Sequence, residues 1–125
     1  MTEIGTSNQA GGLDGNMARF QNPAGLAADQ QGNIYVADQK NDLIRVIQPS
    51  GEVTTFIGEN GELNDPSDLV FDFNGNLIVA DTLKSRVIRI NVSDKSIEEL
   101  GQNVDFSKPT GLALDANGNI FVADR

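Results

Sequence analysis

The chain has 125 residues, enough for one domain with a real core, and its 18 acidic residues against 9 basic ones leave a net charge of −9. That balance repels a phosphate backbone, so no nucleic-acid partner is expected. Cysteine and histidine are both absent, which excludes disulfides, thiolate chemistry, histidine-activated nucleophiles and imidazole-held zinc. No stretch approaches a membrane span and no membrane partner is expected, while the first dozen residues lack the basic and apolar regions of a signal peptide.

An internal repeat organises everything else. PAGLAADQQGNIYVAD (23–38), PSDLVFDFNGNLIVAD (66–81) and PTGLALDANGNIFVAD (109–124) align without gaps at a period of 43 residues, and eight of the sixteen columns hold one residue in all three copies. In chain order, TEIG (2–5) aligns with TFIG (55–58) and predicts an outer strand over 1–5. A connector insertion follows over 6–22, ten residues longer than its counterparts 59–65 and 102–108. The first full unit, 23–58, opens with a short small-apolar run. It turns through QQGN, with Gly32 supplying the positive-φ position, and enters a strand NIYVAD. That strand is apolar on both faces, Ile34 and Val36 on one and Tyr35 and Ala37 on the other, so it belongs between two layers. A third strand LIRVI (43–47) and a fourth VTTFIG (53–58) complete the unit.

The second unit, 66–101, repeats this plan, with Asn74-Gly75 as a strong hairpin-turn pair, RVIRI (86–90) third and SIEELG (96–101) fourth. Taken alone, Ser96 and Glu99 stand at capping-box spacing and suit a helix; the coincidence of Gly58 with Gly101 across the repeat predicts an edge strand instead. The third unit, 109–125, turns at Asn117-Gly118 and stops after two strands. The whole reads as an all-β chain of β-propeller blades, each of four antiparallel strands, with about two and a half to three blades: a partial or half propeller. One such chain is not expected to close a ring, and the partners expected to complete it are copies of itself or the remaining blades.

FQNPAGLAADQQGNIYVADQKNDLIRVI (20–47) resembles the NHL repeat, and the third copy resembles it as far as it runs. The second copy departs twice, with Asp68 in place of the glycine at Gly25 and Gly111, and Lys84 in place of Asn41. The resemblance implies a six-bladed ring and a binding face formed by the connections from outer strand to next inner strand and from second to third strand. It also implies protein or RNA partners on that face; the acidic balance favours another protein. The binding-face candidates are Asp14, Arg19, Lys40, Asn41, Asp42, Asp68, Lys84 and Arg86.

The repeated polar residues, Asp29, Gly32, Asn33 and Asp38, then Asp72, Gly75, Asn76 and Asp81, then Asp115, Gly118, Asn119 and Asp124, read as turn and strand-exit residues. Their order does not match an EF-hand, so no metal and no cofactor is expected. Phe20, Leu63 and Phe106, each three residues before a blade proline, read as apolar plugs beneath the connectors. The sequence therefore points to a non-catalytic propeller scaffold or binding module. Two alternatives stand beside it: part of a calcium-dependent, lactonase-like hydrolase, for which Asp68 is the one candidate ligand, and a natural or engineered fragment with a purely structural role.

Overall fold

The computed structural model describes residues 20–125, so Asp14, Arg19 and the strand expected over 1–5 lie outside the described residues. Within them, ten antiparallel strands form three sheets. The first runs β1 (Pro23–Ala28), β2 (Ile34–Asp38), β3 (Leu43–Ile47), β4 (Val53–Ile57). The second runs β5 (Pro66–Phe71), β6 (Leu77–Asp81), β7 (Arg86–Ile90), β8 (Ile97–Leu100), and the third is the pair β9 (Pro109–Leu114) and β10 (Ile120–Asp124). Each sheet is an up-and-down meander, so strand order in space follows strand order in sequence. These are propeller blades, two of four strands and one of two. No helix among the described residues is long and apolar enough to cross a membrane.

Residues 97–100 join the sheet as β8, with Ile97 opposite Ile90 and Leu100 opposite Val87. The backbone of β7 offers a ladder to pair with, and that outweighs the local helix signal of Ser96 and Glu99. Three of the four residues of β8 are exposed, as suits the outer edge of a blade.

The first turn of each blade is built the same way. The Asp29 N–H donates to the Asn33 carbonyl (2.9 Å) and the Gly32 N–H to the Asp29 carbonyl (3.3 Å); residues 72–76 and 115–119 repeat this pattern. Glycine alone takes positive φ there, +89° at Gly32, +81° at Gly75 and +84° at Gly118, so Asn74 and Asn117 act through ordinary backbone angles. The carboxylates set the geometry. Asp29 Oδ1 accepts from the N–H groups of Gln31 and Asn33, each at 2.9 Å, and Asp72 and Asp115 do the same one and two repeats later. The outer oxygen accepts from the Asn33 or Asn119 side-chain amide in the first and third copies, and from Arg89 Nε in the second.

Packing between sheets follows from the two apolar faces of the second strand. Tyr35, Ala37, Ile44 and Phe56 of the first blade meet Leu69, Leu77, Val79, Ile88 and Ile90 of the second in one buried cluster. Inside it Tyr35 makes edge-on ring contacts with Phe56 (5.3 Å) and Phe71 (5.2 Å). The opposite face of the first blade buries Val36 and Val53 against Phe20. Between the inner strands the approach is close: a Cβ at Gly25 would stand 2.8 Å from Asp68 Oδ1 and 3.1 Å from Asp68 Cα. Glycine at 25 is therefore the complement of the acid at 68, and a larger residue there would push the inner strands apart.

Two expectations follow. Leu69 is buried between blades whereas its repeat mate Leu26 is 67% exposed. Leu69→Ala should cost about 2–5 kcal/mol and Leu26→Ala less than about 0.5 kcal/mol, read from urea denaturation of each variant. The second concerns pH. Desolvation raises the Asp29 carboxyl, but its hydrogen bonds from Asn33, Gln31 and Gly32 outweigh that and hold it below the usual 3.8. For Asp115 the Asn119 side chain leads and the direction is the same. A folded-state value below the unfolded one adds stability that is present above pH 3.8 and lost as pH falls through the lower folded values. The double variant Asp29→Asn, Asp115→Asn should thus be less stable at pH 7 and decline more shallowly between about pH 5 and pH 2 in denaturation curves.

Candidate functional site

The connections that lead into the inner strands, and those from second to third strand, lie on one rim of the stack. Their construction starts from the aspartate that ends each second strand. Asp38 Oδ1 accepts from the Gln21 N–H (2.7 Å), while Oδ2 accepts from the Asn41 side-chain amide (2.9 Å) and pairs with Arg45 NH1 (3.5 Å). Asp38 and Arg45 are both fully buried; burial pushes the Asp38 carboxyl above its usual range, against the pull of Asn41, Gln21 and Arg45. One repeat on, Asp81 Oδ1 accepts from the Asn64 N–H (2.8 Å) and Oδ2 from Arg86 Nε (2.9 Å). In the third copy Asp124, now exposed, accepts from the N–H groups of Ser107 and Lys108. The same residue at the same place anchors the incoming connector three times.

After Asp38 and Asp81 the chain makes single 3-10 turns, Gln39–Asn41 and Thr82–Lys84, each closed by a residue in the left-handed region, Asp42 (φ 59°) and Ser85 (φ 55°). These turns carry most of the candidates read from the sequence, and their polar groups brace one blade against the next. Asp42 Oδ1 accepts from the Asp65 N–H (2.8 Å), and the Asp65 carboxylate meets Lys40 Nζ (3.5 Å) and Gln39 Nε2 (3.2 Å). Lys84 Nζ donates to the Gly61 carbonyl (2.9 Å), Arg86 NH2 to the Glu62 carbonyl (2.7 Å), and Ser85 Oγ to the Ser107 carbonyl (2.8 Å). Lys40, Asn41, Asp42, Lys84 and Arg86 thus share one rim, held in place by the connectors they touch.

Asp68 stands apart from them, on the inner strand β5. Its Oδ1 accepts from its neighbour's N–H at Leu69 (2.9 Å) and its Oδ2 from the Leu112 N–H of the next blade (2.9 Å). Beside it, Thr82 Oγ1 donates to the Pro109 carbonyl (2.7 Å), and the Ser67 hydroxyl stands within hydrogen-bond reach of Thr82 Oγ1 (2.6 Å) and of the Thr110 carbonyl (3.2 Å). Asp68, Ser67 and Thr82 together stitch the second blade to the third. Among the described residues no group of three or more acidic side chains is placed to hold a metal ion.

The rim also presents two apolar side chains that the repeat did not single out: Leu83 at the tip of the second 3-10 turn, 51% exposed, and Val104 on the connector to the third blade, 54% exposed. Their turn and connector are tied by the Ser85–Ser107 hydrogen bond. The signal for Leu83 was available, since it follows two polar repeat residues where the first copy has Lys40; Val104 lies in a connector that has no common pattern. Phe20 and Leu63 lie buried beneath the connectors, and Phe106 is half-buried.

Comparison with known proteins bears on both the repeat and the fold. The NHL repeat profile matches residues 20–47 and 106–125. No curated protein sequence matches the chain. Solved structures of similar fold include a nidogen/laminin complex, at 24% identity with a TM-score of 0.71 over 82% of this chain and 39% of that one. They include virginiamycin B lyase from Staphylococcus aureus, at 20% identity and a TM-score of 0.68 over 82% of this chain and 34% of that one. A gluconolactonase from Xanthomonas campestris is similar at 16% identity and a TM-score of 0.69, over 81% and 34%. The chain spans little more than a third of the length of these structures. The 43-residue period and the stacked four-stranded meanders agree with these likenesses: this chain is built of β-propeller blades and matches the NHL repeat over 20–47 and 106–125.

Proposed function

We propose that the chain is a binding scaffold, whose blade stack is extended by further blades of the same design and whose connector rim docks another protein. One observation carries the reading. Among the described residues the stack leaves exposed at each end a surface that it covers in its middle. Leu26 is 67% exposed where Leu69 is 1%, and Phe121 is 58% exposed where Ile78 is fully buried. The surface beside Phe121 repeats the one that the first blade offers to the second, and the surface beside Leu26 repeats the one with which the second blade accepts it. Two halves of a known interface, one at each end, favour head-to-tail stacking, with the extra blades supplied by a copy of the chain or by the rest of a longer one.

For the rim, the support is its construction. Its charged groups are consumed in bracing, so it is preorganised, and Leu83 and Val104 offer apolar contact beside them. The fold is shared by enzymes and by a protein in a protein complex, so it does not choose between these roles. The lactonase-like alternative rests on Asp68, whose two oxygens already accept backbone N–H groups.

Light scattering tests the stacking. The chain should associate with a mass that rises with concentration, and Phe121→Asp should abolish this while leaving the circular dichroism unchanged. A chain that stays monomeric at about 100 μM and binds no hydrophobic dye would overturn it. Calorimetric titration with calcium tests the alternative: heat that saturates in the wild type and disappears in Asp68→Asn would replace the scaffold reading with the hydrolase one.

A further inference from the structure

On the rim opposite the connectors, where the first and third turns of each blade emerge, the first two blades part to leave a cleft of about 460 Å3. It lies within the described stack, so it depends neither on further blades nor on the connector rim. Its volume falls in the range of small-ligand sites.

Three of its lining residues stand in columns where the copies differ, beside the repeated acids Asp29 and Asp72. Tyr35 stands in a column shared with Ile78 and Phe121, and it is the sole tyrosine of the chain. Phe71 stands with Ala28 and Leu114, and Phe73 with Gln30 and Ala116. Tyr35 and Phe71 also pack the seam between the two blades, and all three aromatics line the cleft. Phe73 is 69% exposed at a hairpin tip, so its ring keeps most of its surface open.

Two polar groups of the cleft, the Tyr35 hydroxyl and the Asp29 carboxylate, carry their own polarity without a charged partner. Tyr35 is 94% buried, as its 6% exposure implies, and its hydroxyl has no hydrogen-bond partner among the described residues while it lines the cleft. Burial first, and then the negative charge of Asp29, push its phenol upward, so it stays protonated at neutral pH. Asp29 accepts three N–H bonds within its turn but has no cation beside it, whereas Asp72, the other acid of the lining, is paired with Arg89. Among the described residues no basic side chain lines the cleft, and the chain's net charge of −9 attracts cations over anions. Aromatic faces with an unpaired carboxylate between them suit a cation with an apolar body. The chain makes one such contact for itself nearby, with Lys95 Nζ 5.3 Å from the centre of the Phe56 ring, which in turn abuts Tyr35.

We propose that this cleft binds an organic cation, a guanidinium or alkylammonium group on an apolar stem, between Tyr35, Phe71 and Phe73 with Asp29 as its counter-charge. Phe73 and Phe71 would supply ring faces and the Tyr35 hydroxyl a lone pair to an N–H of the ligand.

The chain has one tyrosine and no tryptophan, so its intrinsic fluorescence reports this cleft directly. Titration of the full chain with N-acetyl-arginine methylamide should change that emission saturably, and the citrulline counterpart, equal in shape and neutral, should not. Phe73→Ala, which removes a largely exposed ring, should weaken binding about three- to tenfold with the circular dichroism unchanged. Asp29→Asn should weaken it about tenfold, and Asp115→Asn, which alters the same turn one cleft away, should leave it unchanged. A gain of tenfold or more for arginine inside a short neutral peptide identifies a peptide side chain as the source; equal affinity identifies a free cation. Equal binding of the citrulline compound, insensitivity to both Phe73→Ala and Asp29→Asn, or no saturation below about 10 mM would each overturn the proposal.

Discussion

A β-strand that is apolar on both faces needs a layer on each side, and this chain presents such a strand once per repeat. In β2 the alternation sends Val36 one way and Tyr35 and Ala37 the other, and in β6 all five residues are buried. A single sheet cannot satisfy that demand; a stack of sheets does, each blade covering its neighbour. The buried cluster between the first two blades, the glycine at 25 that lets the inner strands close, and the hydrogen bonds of Ser67, Asp68 and Thr82 all serve the same contact. Cooperativity in such an architecture runs through neighbouring units, and the ends of the stack are its open surfaces.

The polar residues divide by where the stack places them. Those repeated in all three copies hold turns and strand exits together. Asp29, Asp72 and Asp115 organise the first turn, and Asp38, Asp81 and Asp124 receive the connector that enters the same blade. The charged residues of the connector rim go the same way: Asp42 holds the connector that enters the next blade, and Lys84 and Arg86 hold the one that enters their own. On the opposite rim three aromatic residues stand where the other copies mostly carry aliphatic, small or polar ones, and there the Tyr35 hydroxyl has no hydrogen-bond partner and the Asp29 carboxylate no ion pair among the described residues. A repeat protein that must spend its repeated residues on stacking is left with its irregular positions for recognition.

Much of this was legible before any coordinates. Period 43 and the two-faced strand predict the four-stranded meander, and the alignment of Gly101 with Gly58 places β8 correctly against a local helix signal. The 3-10 turns at Gln39–Asn41 and Thr82–Lys84 were hidden, because their sequences QKN and TLK share no residue; their shape comes from the strand exit before them and the left-handed residue after. Asp68 was legible as an exception to its column but not as a stitch between blades, since its partner Leu112 N–H lies 44 residues away. Lys84 and Arg86 were legible as binding-face candidates but not as connector braces for the same reason: the carbonyls they bind belong to a connector more than twenty residues earlier.

The sequence alone determined the strand order, the repeat unit and which faces of each strand are apolar, because these depend on alternation and on turns that close within a few residues. Tertiary structure decided which polar groups are spent and which remain available. That depends on distances between chain segments a whole repeat apart, and no local pattern encodes it. Tyr35 and Phe73, unremarkable in their separate blades, become walls of one cleft only when the two sheets are stacked.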